Sequence, residues 1–384
     1  MPLAAPIYLD NNATTPLDPR VLEAMMPYFK EDFGNAGSRD HSYGWKAAEG
    51  VDIARERVSA LIHAQPKEIV FTSGATEAVN LAIKGVFDRY SAKGSHMITC
   101  STEHQAVLDT CKTVSRLGGK VTILPVHANG LIDLTQLEKE ITKQTILVSI
   151  MLANNETGII QPIEEISLLT RKNGTLLFSD GTQAVGKIPL DMDALGIDLM
   201  AFSGHKIYGP KGIGALYVRH KNPRVTLTAQ QDGGGQENNM RSGTQNVPGI
   251  VGLGKACQLC EQELPSESPR LRVLRDRLEQ ALVESDLASI NGNIPCRLGH
   301  VSNLLFAAAE GDELMKQLYQ AIAVSRSSAC TSVLREPSHV LKAMGLTDRE
   351  ANNSFRFSLG RFTTAEQMDF VIPYLIRVAG RTRN

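Results

Sequence analysis

The segment Phe202-Ser203-Gly204-His205-Lys206 closes an apolar run with a polar turn that delivers a lysine, and Gly209 and Gly212 follow it. A lysine amine whose free base is favoured can condense with an aldehyde to form a Schiff base. Ser203 and His205 stand close enough in sequence to donate hydrogen bonds to a phosphate beside it. Taken alone, the segment reads more readily as a surface turn with a solvated lysine, since lysines are seldom buried. A second run, Thr175–Asp180, reads as a buried strand ending in a carboxylate, with Gln183 shortly after. A carboxylate next to a pyridine nitrogen keeps that nitrogen protonated, so that the ring can accept electrons. Gln183 is placed to bond a ring hydroxyl. An aspartate after a strand is also a common helix N-cap, which is the plain alternative for Asp180.

Two weaker signals complete the set. In Phe71-Thr72-Ser73-Gly74-Ala75-Thr76-Glu77 a strand turns into a helix through a glycine. The free N–H groups at such a helix start suit a phosphate, and Thr76 adds a hydroxyl. An ordinary capped helix, with Ser73 or Thr76 as the cap, has the same sequence. In Thr102-Glu103-His104, again after a strand, His104 could lie on a cofactor ring and move protons, or be a helix-start residue without a role. A Schiff-base lysine, a ring-nitrogen carboxylate and a phosphate-binding turn together point to pyridoxal phosphate on Lys206.

These turns need a scaffold. Strands are expected at Ile69–Thr72, His96–Thr99, Lys120–Leu124, Ile146–Met151, Thr175–Phe178, Leu199–Ser203 and Ala215–Arg219. Amphipathic stretches such as Asp52–Ile62, Glu77–Tyr90, Ala106–Leu117 and Ile163–Lys172 lie between them. That alternation predicts an α/β fold with a mainly parallel seven-stranded sheet covered by helices on both faces. Ligands in such sheets bind beyond the carboxyl ends of the strands, where the polar turns fall. After about Gly254 the pattern changes. A charged amphipathic stretch, Ser268–Leu287, precedes apolar runs at Val301–Phe306 and Phe355–Leu359, which suggests a smaller α+β domain with a boundary near 255–262.

Composition narrows the class. Of 384 residues, 42% are hydrophobic and 21% charged, as in soluble globular proteins. Forty basic residues against 41 acidic ones give a net charge of −1, so nucleic acid and anionic membrane are not expected as main partners. No run approaches the roughly 18 apolar residues of a membrane span. The N-terminus lacks the basic region and long apolar core of a secretory signal. Six scattered cysteines do not make a disulfide framework, so a cytoplasmic enzyme with reduced thiols is expected. Cys257 and Cys260 form a C-x-x-C, but no second pair or histidine cluster accompanies it, and no metal site is expected.

The turns, taken in order with several further segments, resemble the NifS/IscS-type cysteine desulfurases, which belong to the aspartate-aminotransferase-like class of pyridoxal phosphate enzymes. The resemblance begins at Tyr8-Leu9-Asp10-Asn11-Asn12-Ala13-Thr14-Thr15-Pro16 and continues through Ala153-Asn154-Asn155-Glu156-Thr157-Gly158 and Gly233-Gly234-Gly235-Gln236-Glu237. It takes in Arg241-Ser242-Gly243-Thr244-Gln245-Asn246, then Arg326-Ser327-Ser328-Ala329-Cys330-Thr331-Ser332, and ends at Phe355-Arg356-Phe357-Ser358. It covers nearly the whole chain.

The resemblance implies a large pyridoxal phosphate domain over 16–258 and a small domain made of 1–15 and 259–384. Lys206 becomes the Schiff-base lysine, Asp180 the partner of the pyridine nitrogen, Gln183 that of the ring hydroxyl, and His104 the residue stacked on the ring. Ala75, Thr76, Ser203 and His205 hold the phosphate, and Thr244 completes that site from the second subunit of a homodimer. Asn12, Asn155 and Arg356 take the substrate, Asn155 also touching the cofactor; the arginine fork suits a carboxylate. L-cysteine is converted to L-alanine, and Cys330 accepts the sulfur as a persulfide. The length of the segment after Cys330 matches relatives that hand sulfur to iron–sulfur scaffold proteins.

A lone cysteine is usually a small buried hydrophobe, but Ser327, Ser328, Thr331 and Ser332 make the setting of Cys330 polar and loop-like. Two departures from the family pattern stand out. Gly181-Thr182 replaces alanine and valine after Asp180, which suggests looser packing near the ring. The loop Gly34–His41 lacks a proline and a second serine, which suggests lower rigidity. The competing readings are an aminotransferase or selenocysteine-type lyase in which Cys330 is incidental, and a cofactor-bearing docking protein without turnover.

Overall fold

Short runs of branched and aromatic residues build the larger sheet, and tertiary burial explains their composition. The computed structural model describes residues 6–292, 295–326 and 336–382. Spatial order across the sheet is Ile69–Thr72, Gly214–Val218, Leu199–Ser203, Leu176–Asp180, Thr145–Ser149, His96–Cys100 and Lys120–Leu124. Gly214–Val218 runs antiparallel to both of its neighbours; the remaining pairs are parallel. Except in the edge strand Lys120–Leu124, every residue of these strands is buried. Continuous burial is what helices on both faces of a parallel sheet require.

Helices Ser42–Leu61 and Ile163–Lys172 contribute to the apolar cluster on one face, and Ala75–Tyr90 and Gln105–Arg116 to that on the other. The expected strands all form: Ile69–Thr72, Lys120–Leu124 and Leu199–Ser203 match to the residue, and the other four differ by one or two residues at one or both ends. One of these ends matters for chemistry: the strand runs Leu176–Asp180 and so ends on the Asp180 carboxylate, as the run Thr175–Asp180 reads in the sequence.

A smaller sheet orders Ser325–Arg326, Ser354–Ser358, Val301–Leu305 and Ser289–Ile290, all antiparallel. The N-terminal strand Ile7–Tyr8 pairs in parallel with Ile322–Ala323, and Asp10 bridges to Ser358. The boundary region 255–262 lies inside one 38-residue helix, Val247–Glu284. Val247 to Cys260 packs into the cluster under the large sheet, whereas Leu271 to Leu282 packs with Ile7, Leu9, Phe355 and Phe357. Pro265 and Pro269 lie between these stretches. Each proline removes a backbone donor, yet the helix continues because both ends are held by burial. The change of pattern after Gly254 therefore marks a change of packing partner along one helix.

Candidate active site

The carboxyl ends of the parallel strands converge on a cleft of about 530 Å³. Asn12, Ala75, Thr76, His104, Asn155, Asp180, Gln183, Ser203, His205, Lys206 and Arg356 all line it. Thr244 does not; it is exposed on the same chain. Cys330 lies outside the described residues. His41, at the end of the Gly34–His41 loop, also stays out of the cleft and caps the helix Ser42–Leu61 through its Nδ1.

Lys206 ends a single helical turn, Gly204–Lys206, directly after the strand Leu199–Ser203. Its Nζ donates to the carbonyls of Asn12 at 2.7 Å and Ala13 at 2.6 Å. Asn12 O also accepts from Gln183 Nε2 at 3.1 Å, and the Asn12 side chain donates to Asn155 O at 3.0 Å. His300 Nε2 meets Asn12 Oδ1 at 3.2 Å. The N-terminal segment thus acts as a hub that orients the lysine, the glutamine and the asparagine together. Burial, with Lys187 and Arg275 adding to it, drives the His300 imidazole far below its ordinary value, so this support stays neutral.

Asp180 is buried, and its Oδ1 accepts the Thr182 N–H at 2.9 Å. The N-cap role open to it from sequence is therefore partly used, while the carboxylate still faces the cleft. A Cβ on Gly181 would lie 2.6 Å from Met200 Sδ. The room expected to loosen the packing is filled by the Met200 thioether, which any side chain at 181 would have to displace. The Gly34–His41 loop is likewise tied down. Asn35 accepts the Gly37 N–H at 2.8 Å through its side chain and the Ser38 N–H through its carbonyl, and Trp45 Nε1 donates to Arg39 O at 2.7 Å.

The phosphate side is built from backbone. Gly74 caps the helix Ala75–Tyr90 with φ +154°, a conformation that side-chain-bearing residues rarely adopt. A Cβ there would come 3.7 Å from Ser203 Oγ, inside the cradle. Gly214 lets this turn approach the neighbouring strand, since a Cβ on it would meet Gly74 Cα at 2.7 Å. His205 Nδ1 bonds Thr14 Oγ1 at 3.1 Å. Burial, then Lys206 and Lys211, lower the His205 imidazole to about 4, so it is neutral at neutral pH. His104 caps its helix by accepting the Ala106 N–H on Nδ1 at 3.1 Å, which leaves any single ring proton on Nε2.

Arg356 closes the far side. It is 2% exposed, with Nη2 at 2.7 Å from Asp10 Oδ1 and Nη1 donating to Asn155 O at 2.9 Å. Ser325 Oγ donates to the other Asp10 oxygen at 2.7 Å. Sequence reasoning missed the supporting residues Asp10, Glu103, His300 and His339. Asp10 and Glu103 sit inside recognised segments, whereas nothing local marks His300 or His339. The cleft fits pyridoxal phosphate: a glycine-shaped backbone cradle faces Ser203 at one end, and a buried carboxylate and a lysine amine line its wall.

The aminotransferase class-V family model matches residues 7–371. A protein of Pectobacterium carotovorum named cysteine desulfurase IscS is 52% identical over 381 residues, covering 99% of this chain and 94% of that protein. A solved NifS-like protein superposes with a TM-score of 0.90 at 38% identity, covering 98% of this chain and 99% of that one. Another solved structure, titled SspA in complex with cysteine, gives a TM-score of 0.82 at 37% identity, over 93% of this chain and 100% of that one.

Proposed function

Because the chain belongs to the aminotransferase class-V family and, within it, to the IscS-type cysteine desulfurases, we propose that its cleft converts L-cysteine to L-alanine and loads the sulfur on Cys330. The observation that carries this reading is the meeting of Lys206, Asp180 and Arg356 in one cleft. When bound, pyridoxal phosphate supplies an aldehyde for an amine and a protonated ring that accepts electrons.

The chain's own residues do the rest. Lys206 holds the aldehyde, and its amine removes the substrate α-proton and returns it. Asp180 keeps the ring nitrogen protonated, and Gln183 bonds the ring hydroxyl. The N–H groups at Ala75 and Thr76, with Ser203 and His205, hold the phosphate; neutral His205 donates without adding charge. Arg356 and Asn155 receive the substrate carboxylate, and Asn12 orients both that asparagine and Lys206. His104 Nε2 exchanges protons over the ring. The Cys330 thiolate attacks the substrate sulfur, so that one S–S bond forms as the carbon–sulfur bond breaks. Cysteine and the thiol become alanine and a persulfide, with no outside oxidant.

A homodimer fits two features of the surface. Phe29, Phe33, Tyr43 and Trp45 are each at least half exposed within one short N-terminal stretch, which suits burial against a second copy. Thr244, exposed and not among the residues lining its own cleft, is available to a neighbouring one. Sulfur passes from Cys330 to acceptor proteins such as an iron–sulfur scaffold. A cytoplasmic setting fits the free thiols of Cys100, Cys111, Cys257, Cys260 and Cys296; among the described residues no helix is long and apolar enough to cross a membrane.

The test is incubation with L-cysteine and a reductant, assaying alanine and sulfide for the wild type and Cys330→Ala. Equal amounts of both products from the wild type, and neither from the variant at a normal cofactor spectrum, are expected. Undiminished turnover in the variant would move the sulfur step away from Cys330.

A further inference from the structure

We propose that Arg241 is a positioning residue for the cofactor phosphate: it pairs with Glu77, a carboxylate built into the phosphate turn, and holds that charge aside so that the first-turn N–H groups are left to the phosphate. The inference rests on the reading of the Gly74 turn as the phosphate cradle.

Glu77 is the third residue of the helix Ala75–Tyr90 and lines the cleft together with Ser73, Gly74, Ala75 and Thr76. A helix start draws negative charge, from a side chain as readily as from a ligand. A carboxylate at that end therefore opposes a phosphate there unless a cation offsets it. Both oxygens of Glu77 are engaged. Its Oε2 accepts the Ser73 N–H at 2.7 Å, and its Oε1 accepts from Arg241 Nε at 2.7 Å. Arg241 Nη2 reaches Oε2 at 3.4 Å. Among the described residues, Arg241 is the one cation within ion-pair distance of Glu77. The side chains of Glu77 and Arg241 are only 14% and 23% exposed, so solvent screens the pair weakly. Burial opposes ionisation of Glu77, but Arg241 and Ser73 outweigh it and hold the carboxyl below its usual range.

A second glutamate brings Arg241 to this place. Glu237, Asn238 and Asn239 take φ of +47°, +56° and +62°, a left-handed run that residues with side chains keep only where the surroundings impose it. The buried Glu237 carboxylate supplies that constraint. Arg55 donates to both of its oxygens at 2.9 Å, the Phe71 N–H donates to Oε2 at 2.9 Å, and Gln245 Nε2 donates to Oε1. Arg55 also lies 4.6 Å over the Phe71 ring and donates to Ile69 O. The strand Ile69–Thr72 is an edge of the large sheet and leads straight into the cradle. It is gripped at two alternate N–H groups, that of Phe71 by Glu237 and that of Ser73 by Glu77, which Arg241 holds. No residue of 233–246 is among those lining the cleft, so Arg241 acts on the phosphate through Glu77.

The experiment measures Kd of the full chain, freed of cofactor, for pyridoxal phosphate and for pyridoxal, which lacks the phosphate, by cofactor absorbance. The wild type is expected to bind pyridoxal phosphate far more tightly than pyridoxal. Arg241→Gln leaves the Glu77 charge without its counter-ion, and pyridoxal phosphate is expected to bind roughly tenfold more weakly while pyridoxal changes by less than about twofold. Adding Glu77→Gln to that variant removes the charge and is expected to restore most of the loss. An arginine that merely supported the loop would weaken both ligands alike and would not be rescued. Unchanged discrimination in Arg241→Gln, or no recovery in the double variant, would overturn the proposal. Glu77→Gln alone keeps an acceptor for Ser73 and serves if the arginine variant does not fold. It is expected to bind pyridoxal phosphate no more weakly than the wild type, and a roughly tenfold loss there would also overturn the proposal. Equal affinity of the wild type for the two ligands would defeat the cradle and the proposal with it. A discriminating wild type that makes no alanine from cysteine would defeat the proposed activity and leave Arg241 standing.

Discussion

Arg356 Nη2 lies 2.7 Å from Asp10 Oδ1, an ion pair that closes 346 residues of chain at the edge of the cleft. The same guanidinium donates to Asn155 O, so its plane is set before any substrate arrives. Asp10→Ala leaves a nearly buried guanidinium without its counter-ion. We expect a loss on the order of 3 kcal/mol in urea unfolding. A loss below about 0.5 kcal/mol would mean that water replaces the carboxylate at no cost.

Arg356→Lys keeps the charge but loses the planar fork that spans Asp10, Asn155 and a carboxylate. The KM for cysteine is expected to rise roughly tenfold, equivalent to about 1.4 kcal/mol, with a smaller change in kcat. Steady-state kinetics decide this. A fall in kcat with KM unmoved would remove Arg356 from carboxylate binding.

Lys206→Arg tests the amine itself. A guanidinium cannot give up its proton at working pH, so kcat is expected to fall by on the order of 10⁴ although the positive charge remains. Substantial turnover by this variant would place the base elsewhere.

Two buried groups impose opposite pH dependences on stability. Glu103 ionises near 4.5 when unfolded and at about 8 when folded. Between these values the folded chain holds a proton that the unfolded chain has lost, so stability falls as pH rises through that window. Glu103→Gln removes this slope, and its gain over the wild type grows toward a few kcal/mol at about pH 8. His205, lowered from 6.5 to about 4, does the reverse. Its contribution is complete above 6.5 and is lost as pH falls toward 4, by about 1 kcal/mol once partial exposure is allowed for. Melting temperatures of the wild type, Glu103→Gln and His205→Gln across pH 4.5 to 8 separate the two; parallel curves for the wild type and Glu103→Gln would refute the first.

Gly74→Ala forces a side chain into φ +154° and puts its Cβ in the phosphate cradle. The backbone strain costs about 1–3 kcal/mol, and pyridoxal phosphate is expected to bind the apoenzyme more weakly. Fluorescence titration with the cofactor measures this. Unchanged affinity would show that the cradle lies elsewhere.

Much of the site was legible locally because its residues occupy strand-to-helix turns, whose sequence signature is short-range. Lys206, Asp180, Gln183, His104 and the Gly74 turn each follow an apolar run that announces a buried strand. Gly181 was legible only as a departure, since the side chain that needs its space, Met200, comes from the neighbouring strand. His300 and His339 carry no local pattern, and their roles arise from where two distant segments meet Asn12 and Glu103.

The strand-and-helix alternation, the polar turns at the strand ends and the family were all legible along the chain. Hydrophobic period and turn chemistry are properties of neighbours along the chain. Only folding brought Asp10 to Arg356, made one helix serve two cores across Pro265 and Pro269, and buried the Glu103 carboxyl against the Met151 N–H. Those outcomes depend on burial and on which charges are brought together once water is excluded, and neither quantity exists until the chain has folded.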